Sequence, residues 1–145
     1  SHTQTTSGTA RTIISSDGER TFATNLGASL ELNESIIKDG LFKGWDYCYL
    51  EGYLIANRSL FKKVIDTAKS NGCKVVLDLA SFNVVEDNRD FLNELLPQID
   101  IIFANEEEAK ALTQKTAEES LHYIAENVDI AVVKIGKKGS LIKRA

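Results

Sequence analysis

Asp100-Ile101-Ile102-Phe103-Ala104-Asn105-Glu106-Glu107-Glu108-Ala109-Lys110-Ala111-Leu112 reads as a strand that runs straight into a helix whose first turn carries three carboxylates. Ile101, Ile102 and Phe103 form a continuous apolar run rather than an alternating one, which predicts a parallel strand covered on both faces. Asn105 is a good N-cap, because its side-chain oxygen can accept from the free amides of the first turn. Glu108, three residues on, can reach back to the Asn105 amide as in a capping box. A cap of this kind stabilises a helix by about 1 kcal/mol and requires no function, so a structural and a functional reading both fit the stretch.

On either side the chain alternates β-prone and helix-prone segments. Thr9 to Ser15 and Glu19 to Asn25 flank Ser16-Asp17-Gly18, a turn in which glycine can take positive φ, and predict a hairpin. Asn33 to Lys43 reads as a helix capped by Asn33. Asp46 to Leu50 reads as a strand stopping at Glu51-Gly52, and Asn57 to Ser70 as an amphipathic helix with Leu60, Phe61, Val64, Ile65 and Ala68 on one face. Strand Lys74 to Leu77 ends in Asp78, and a helix from Val85 to Leu96 stops near the single proline, Pro97. Helices Asn105 to Thr113 and Thr116 to Asn127 then precede strand Asp129 to Ile135, the loop Gly136-Lys137-Lys138-Gly139 and a β-prone tail from Ser140. This alternation predicts right-handed crossovers and a parallel, Rossmann-like α/β sheet flanked by helices, with residues 1–30 as a separate hairpin unit and 31–145 as the α/β core.

Composition narrows the function classes. The 145 residues suffice for one core, with 43% hydrophobic and 26% charged residues and a net charge of −4. An acidic chain offers little to nucleic acid or to an anionic membrane, and no apolar run approaches a membrane span, so neither is expected as a partner and a cytoplasmic protein is. Cys48 and Cys73 have no metal-ligand spacing and read as free buried thiols. His122 reads as an exposed helix residue and Trp45 as a packing residue at the mouth of a strand. The chain contains no methionine and stops just after a strand begins, which reads as part of a longer, incomplete domain.

Polar residues recur at the same end of successive strands: Glu51, Asp78, Asn105 with Glu108, and Gly136 to Gly139. In an open parallel sheet ligands bind at that edge, where helix N-termini offer amides to phosphate and a carboxylate can hold hydrated magnesium. Taken singly, Gly136 and Gly139 can equally make only a turn, and Glu51 or Asp78 a solvated strand end. Neither Gly-x-x-x-x-Gly-Lys-Ser/Thr nor Gly-x-Gly-x-x-Gly occurs, which excludes the simple P-loop and dinucleotide readings.

The ordered set of motifs resembles the ribokinase-like, or PfkB, carbohydrate and nucleoside kinases over nearly the whole chain. Thr6-Ser7-Gly8-Thr9-Ala10, Asp17-Gly18-Glu19-Arg20 and Leu26-Gly27-Ala28 look like that family's lid strands and their return, and Tyr49-Leu50-Glu51-Gly52-Tyr53 like the strand end that follows. Asn105-Glu106-Glu107-Glu108 matches its Asn-x-x-Glu motif, and Val133 to Gly139 resembles its nucleotide loop. The resemblance implies transfer of the ATP γ-phosphoryl group to a hydroxyl of a small-molecule sugar or nucleoside. Asn105 and Glu108 would organise Mg2+ and phosphate through water, Lys134, Gly136 and Gly139 would line the nucleotide, and Glu51 would lie near the acceptor. It also implies a lid that is either mobile or paired with the lid of a second copy in a homodimer. The family's Gly-Ala-Gly-Asp motif, which carries the catalytic base, and its N-terminal glycine-rich sugar-binding motif do not occur here, and position 134, often Thr in relatives, is Lys. No catalytic residue is therefore expected within this chain, and the chain alone is not expected to turn over. Two other readings use the same residues: a receiver-like phosphoacceptor domain built on Asp78 and Lys134, and a catalytically inert nucleotide- or sugar-binding relative.

Overall fold

The computed structural model describes residues 4–18 and 20–145. The chain divides into two compact units, one ending at Ile36 and the other running from Ile37 to Ala145.

In the first unit, strands β1 (Thr9–Ile14) and β2 (Arg20–Asn25) form a two-stranded antiparallel sheet of their own. Their register runs from Thr9 opposite Asn25 to Ile14 opposite Arg20. Gly18 closes the turn at φ +87°, its amide donating to the Ser15 carbonyl at 2.9 Å. The described residues of both strands are exposed, including Ile13, Ile14 and Phe22. Gly27 returns the chain at φ +51°, where a Cβ would lie 2.5 Å from the Thr6 carbonyl oxygen.

The helix expected from Asn33 to Lys43 does not form. A 3₁₀ turn over Glu34–Ile36 is followed by successive hydrogen-bonded turns. Asn33 Oδ1 accepts from the Ser35 amide at 3.0 Å, so the side chain closes a local turn in place of a helix cap, and Gly40 and Gly44 both sit at φ +83°. Trp45 is 67% exposed, so it is a surface residue and not the packing residue expected.

The second unit is a five-stranded sheet flanked by helices. Its strands β3 (Tyr47–Glu51), β4 (Lys74–Asp78), β5 (Ile101–Asn105), β6 (Ile130–Lys134) and β7 (Ser140–Arg144) lie side by side in chain order. Strands β3 to β6 are parallel, and β7 turns back antiparallel on β6, so the sheet is mixed at that side. Helix α1 (Arg58–Ser70) links β3 to β4, with Asn57 Oδ1 accepting from the Leu60 amide at its start. The single helix expected from Val85 to Leu96 is instead two, α2 (Phe82–Asp87) and α3 (Arg89–Leu95). Asn88 separates them: its Nδ2 donates to the Val84 carbonyl at 2.9 Å while its Oδ1 accepts from Arg58 Nη2 at 2.7 Å, so the side chain competes with the helical ladder. Helices α4 (Glu106–Thr113) and α5 (Ala117–Ala125) link β5 to β6.

Right-handed crossovers between strands in sequential order stack every connecting helix on one face. The core follows that rule. Cys48, Leu50, Val75, Leu77, Ile102, Ala104, Ala131 and Val133 alternate along their strands and form one apolar cluster with Leu60, Phe61, Val64, Ile65, Leu92, Leu112 and Ile124 of the helices. On β5 the residues of opposite parity, Ile101 and Phe103, lie outside this cluster and are only partly buried, so β5 is not evenly covered on both faces as its apolar run predicted. The sheet is fastened at its N-terminal edge by Asp100, whose Oδ2 accepts from the Val75 amide at 2.6 Å and from Lys69 Nζ at 2.9 Å. Cys48 and Cys73 are free and buried, and burial, with Cys73 adding to it, raises the Cys48 thiol to about 11, so it stays protonated at neutral pH.

Gly52 follows β3 with no room for a side chain: a Cβ would lie 2.6 Å from the Leu79 carbonyl oxygen, where the chain leaves β4. Gly52→Ala is expected to destabilise the fold by about 1–3 kcal/mol through this overpacking against backbone. A urea midpoint unchanged from wild type would show that the close approach does not exist.

Candidate functional site

The C-terminal ends of the parallel strands bring Glu51, Asp78, Asn105 and Lys134 to one edge of the sheet. Glu51 lies opposite Asp78 in the β3–β4 pair, and Asn105 lies opposite Lys134 in the β5–β6 pair. The distance between Glu51 and Asn105 is spanned by β4, which is why Asp78 matters to the edge.

Asn105 and Glu108 form a closed reciprocal unit at the start of α4. Asn105 Oδ1 accepts from the Glu108 amide at 2.8 Å, and Glu108 Oε2 accepts from the Asn105 amide at 2.8 Å. Glu108 Oε1 accepts in addition from Asn105 Nδ2 at 2.8 Å, so both carboxylate oxygens are engaged and the amide is held at both ends. Glu108 is only 3% exposed. Burial raises its carboxyl above the ordinary value; the Asn105 amide and the Lys134 ammonium act in the opposite sense, and Asp78 and Glu107 add to the rise. Glu106 and Glu107 are exposed beside it.

Lys134 reaches from β6 across the end of β5 to Asp78 on β4, with Nζ 3.1 Å from Oδ2. Asp78 Oδ1 accepts from the Ala80 amide at 3.0 Å, and Ala80 holds φ +65°, a left-handed conformation uncommon for a residue with a Cβ. On β3, the exposed Tyr49 phenol has its pKa raised, by desolvation first and then by the charges of Asp78 and Glu51 and hydrogen bonds to them. Gly136 and Gly139 lie just past β6 in the tight connection to β7, at φ +60° and +98°, with the Ile135 amide donating to the Gly139 carbonyl at 2.8 Å. Both glycines therefore have a conformational reason to be there, and the same loop stands beside the Asn105 edge.

The structure thus gathers Asn105, Glu108 and Lys134 closely, adds Gly136 and Gly139 in the adjoining turn, and leaves Glu51 at the same edge two strands away from Asn105. Tyr49 was not singled out by sequence, and Asp78 was read only as a polar strand end and as the acceptor of the receiver-like alternative. The signal for Asp78 was a carboxylate ending an apolar strand; its direct contact with Lys134 follows from β4 and β6 flanking the same strand.

The model of the pfkB family of carbohydrate kinases matches residues 1–145. The chain belongs to the pfkB family. The guanosine-inosine kinase of Escherichia coli strain K12 is 31% identical over 113 residues, a match covering 73% of this chain and 26% of that kinase. The adenosine kinase of Sinorhizobium meliloti superposes with a TM-score of 0.87 at 27% identity, over 94% of this chain and 44% of that one. A ribokinase II-like chain from E. coli, solved with ATP and Mg2+, superposes with a TM-score of 0.78 at 22% identity over 94% of this chain and 47% of that one, a likeness of fold. The pfkB chain described here therefore spans about a quarter of its curated relatives and under half of the solved structures. Among the described residues, no helix is long and apolar enough to cross a membrane.

The raised carboxyl of Glu108 makes a signed prediction about pH. A group whose folded pKa lies above its unfolded value contributes stability that is fully present below the unfolded value, near 4.5, and is lost as pH rises through the folded one. Glu108→Gln removes this titration but leaves one of the two Asn105 donors without an acceptor, costing about 1 kcal/mol. The urea midpoint of wild type should therefore fall relative to that of Glu108→Gln as pH is raised from 4.5 upward. A constant gap across that range would mean that Glu108 titrates normally in the fold.

Proposed function

We propose that the full-length protein transfers the γ-phosphoryl group of ATP to a hydroxyl of a sugar or nucleoside. The observation that carries this reading is the convergence of the Asn105–Glu108 unit and Lys134 at the C-terminal sheet edge of a chain that matches the pfkB family throughout. Of the acceptor classes, the similarity to a guanosine-inosine kinase and an adenosine kinase favours a nucleoside.

The residues suit magnesium held through water. Both Glu108 oxygens already accept from Asn105, and among the described residues no three His, Cys, Asp or Glu side chains are grouped to cage an ion directly. Mg2+ characteristically keeps several waters and takes one or two carboxylates plus the substrate's phosphates, which this donor set can provide. When bound, it would neutralise charge on the phosphoryl group being transferred. Asn105 and Glu108 would orient its waters and the phosphates. Lys134 would offer an ammonium to phosphate oxygens, Gly136 and Gly139 would let backbone approach the nucleotide, and Glu51 would face the acceptor. No Gly-Ala-Gly-Asp sequence occurs in this chain, so the general base is assigned to none of its residues and the chain alone is not expected to turn over.

The Asp78–Lys134 contact is also what a receiver-like phosphoacceptor domain would place together. Such domains order their strands 2-1-3-4-5, whereas here β3 to β6 follow in sequence, so the kinase reading is preferred.

The hairpin's exposed Ile13, Ile14 and Phe22 support pairing with the hairpin of a second copy. Light scattering of the full-length protein should then give twice the chain mass, and Phe22→Asp should return it to monomer; a monomeric wild type would remove the dimer from the proposal.

The site assignment is tested by Glu108→Gln in the full-length protein. Turnover with nucleosides or sugars as acceptor should fall by roughly tenfold or more, with part recovered by excess magnesium, because a charge near the transferring phosphate has been removed. Asn105→Asp keeps the cap but adds a negative charge and should also slow transfer. Unchanged kinetics at every magnesium concentration would leave Asn105 and Glu108 as a helix cap only.

A further inference from the structure

Lys134 ends its strand next to Asn105, yet its ammonium is held by a carboxylate two strands away. The lysine side chain is 44% exposed and the aspartate 19% exposed. A half-exposed lysine on a flexible four-carbon stem has no fixed position of its own. Asp78 does have one: Oδ1 accepts from the Ala80 amide at 3.0 Å, which leaves Oδ2 directed at Lys134 Nζ at 3.1 Å. The anchor is backed by the left-handed Ala80, a conformation that costs energy in a residue with a Cβ and that the Asp78–Ala80 bond helps to hold. A rigid turn, a carboxylate and an ammonium are thereby linked in series. An ammonium has three donors, and the Asp78 bond uses one of them, which leaves two for other oxygens at the edge.

We infer that Asp78 is a positioning residue that fixes Lys134 over the end of β5, beside the Asn105–Glu108 unit, so that its remaining N–H groups meet phosphate oxygens. This rests on the reading of Lys134 as a nucleotide-lining residue. Asp78 itself acts through Lys134 and need not touch the nucleotide. An ordinary half-exposed ion pair would affect stability alone, and only slightly. A positioning pair affects nucleotide binding, and its two members act as one unit.

A double-mutant cycle on the full-length protein separates these. Asp78→Asn keeps the shape and the Oδ1 acceptor for Ala80 but removes the charge; Lys134→Met keeps the stem and removes the ammonium. With MgATP binding measured by calorimetry, each single variant should bind about tenfold more weakly, as misplacement of a positioned group predicts. The double variant should bind no more weakly than Lys134→Met alone, and Lys134→Arg, which still reaches Asp78, should recover part of the loss. Wild-type affinity in Asp78→Asn, or single losses that multiply to about a hundredfold in the double variant, would overturn the inference while leaving the kinase reading in place. A wild-type protein that neither binds MgATP nor phosphorylates any nucleoside or sugar would overturn both. If Asp78→Asn fails to fold, Asp78→Glu serves in the same cycle: moving the carboxylate by one methylene should change MgATP affinity in the Lys134 protein and leave it unaltered in Lys134→Met, and a change of equal size in both would overturn the inference.

Discussion

The reciprocal hydrogen bonding of Asn105 and Glu108 marks the point at which β5 stops and α4 begins, and the polar edge of the sheet is built around it. Three bonds of 2.8 Å close the pair on itself, so a carboxylate that is almost fully buried is satisfied without an ion-pair partner in direct contact. That arrangement is more than a generic cap. A capping box needs only the Glu108 amide and the Asn105 amide to be met, and the additional Asn105 Nδ2 bond fixes both side chains in one geometry. Such fixing suits the proposed role of orienting water and phosphate.

The sequential strand order does the rest. With right-handed crossovers it gathers α1 to α5 and the core on one face and sends the ends of β3 to β6 to a common edge. Registers then decide which polar ends are neighbours: Glu51 meets Asp78, and Asn105 meets Lys134. Close backbone approach at Gly52 lets the chain leaving β3 pass the chain leaving β4, so the edge is compact at its first two strands. The antiparallel β7 adds no strand end to this edge; its contribution is the glycine turn that joins it to β6.

Most elements were legible because they rest on local chemistry. The apolar face of α1, the Asn105 cap and the glycine turn at Gly18 are written in residue types at fixed spacings, and each forms where it was expected. The misreadings share a cause. At Asn33 and Asn88 a side chain that could cap a helix instead bonds locally or to Arg58, and the balance between those outcomes is small enough for neighbours to decide it. Trp45 looked like packing only because aromatic residues usually find cover, and nothing local says which side of a turn it will take.

By itself the sequence determined the alternation of strands and helices, the cap at Asn105, the resemblance of its ordered motifs to a kinase family, and the gathering of Glu51, Asp78, Asn105 and Gly136 at strand ends of one polarity. These follow from periodicity, turn residues and capping, all of which act within a few positions along the chain. Only the tertiary structure decided that Lys134 belongs with Asp78, 56 positions apart in the chain, that Ile101 and Phe103 lie on a different face from Ile102, and that β7 runs against its neighbour. Those outcomes depend on which strands lie side by side and in what register, and hydrogen bonds between strands carry no trace of themselves in either strand's own pattern.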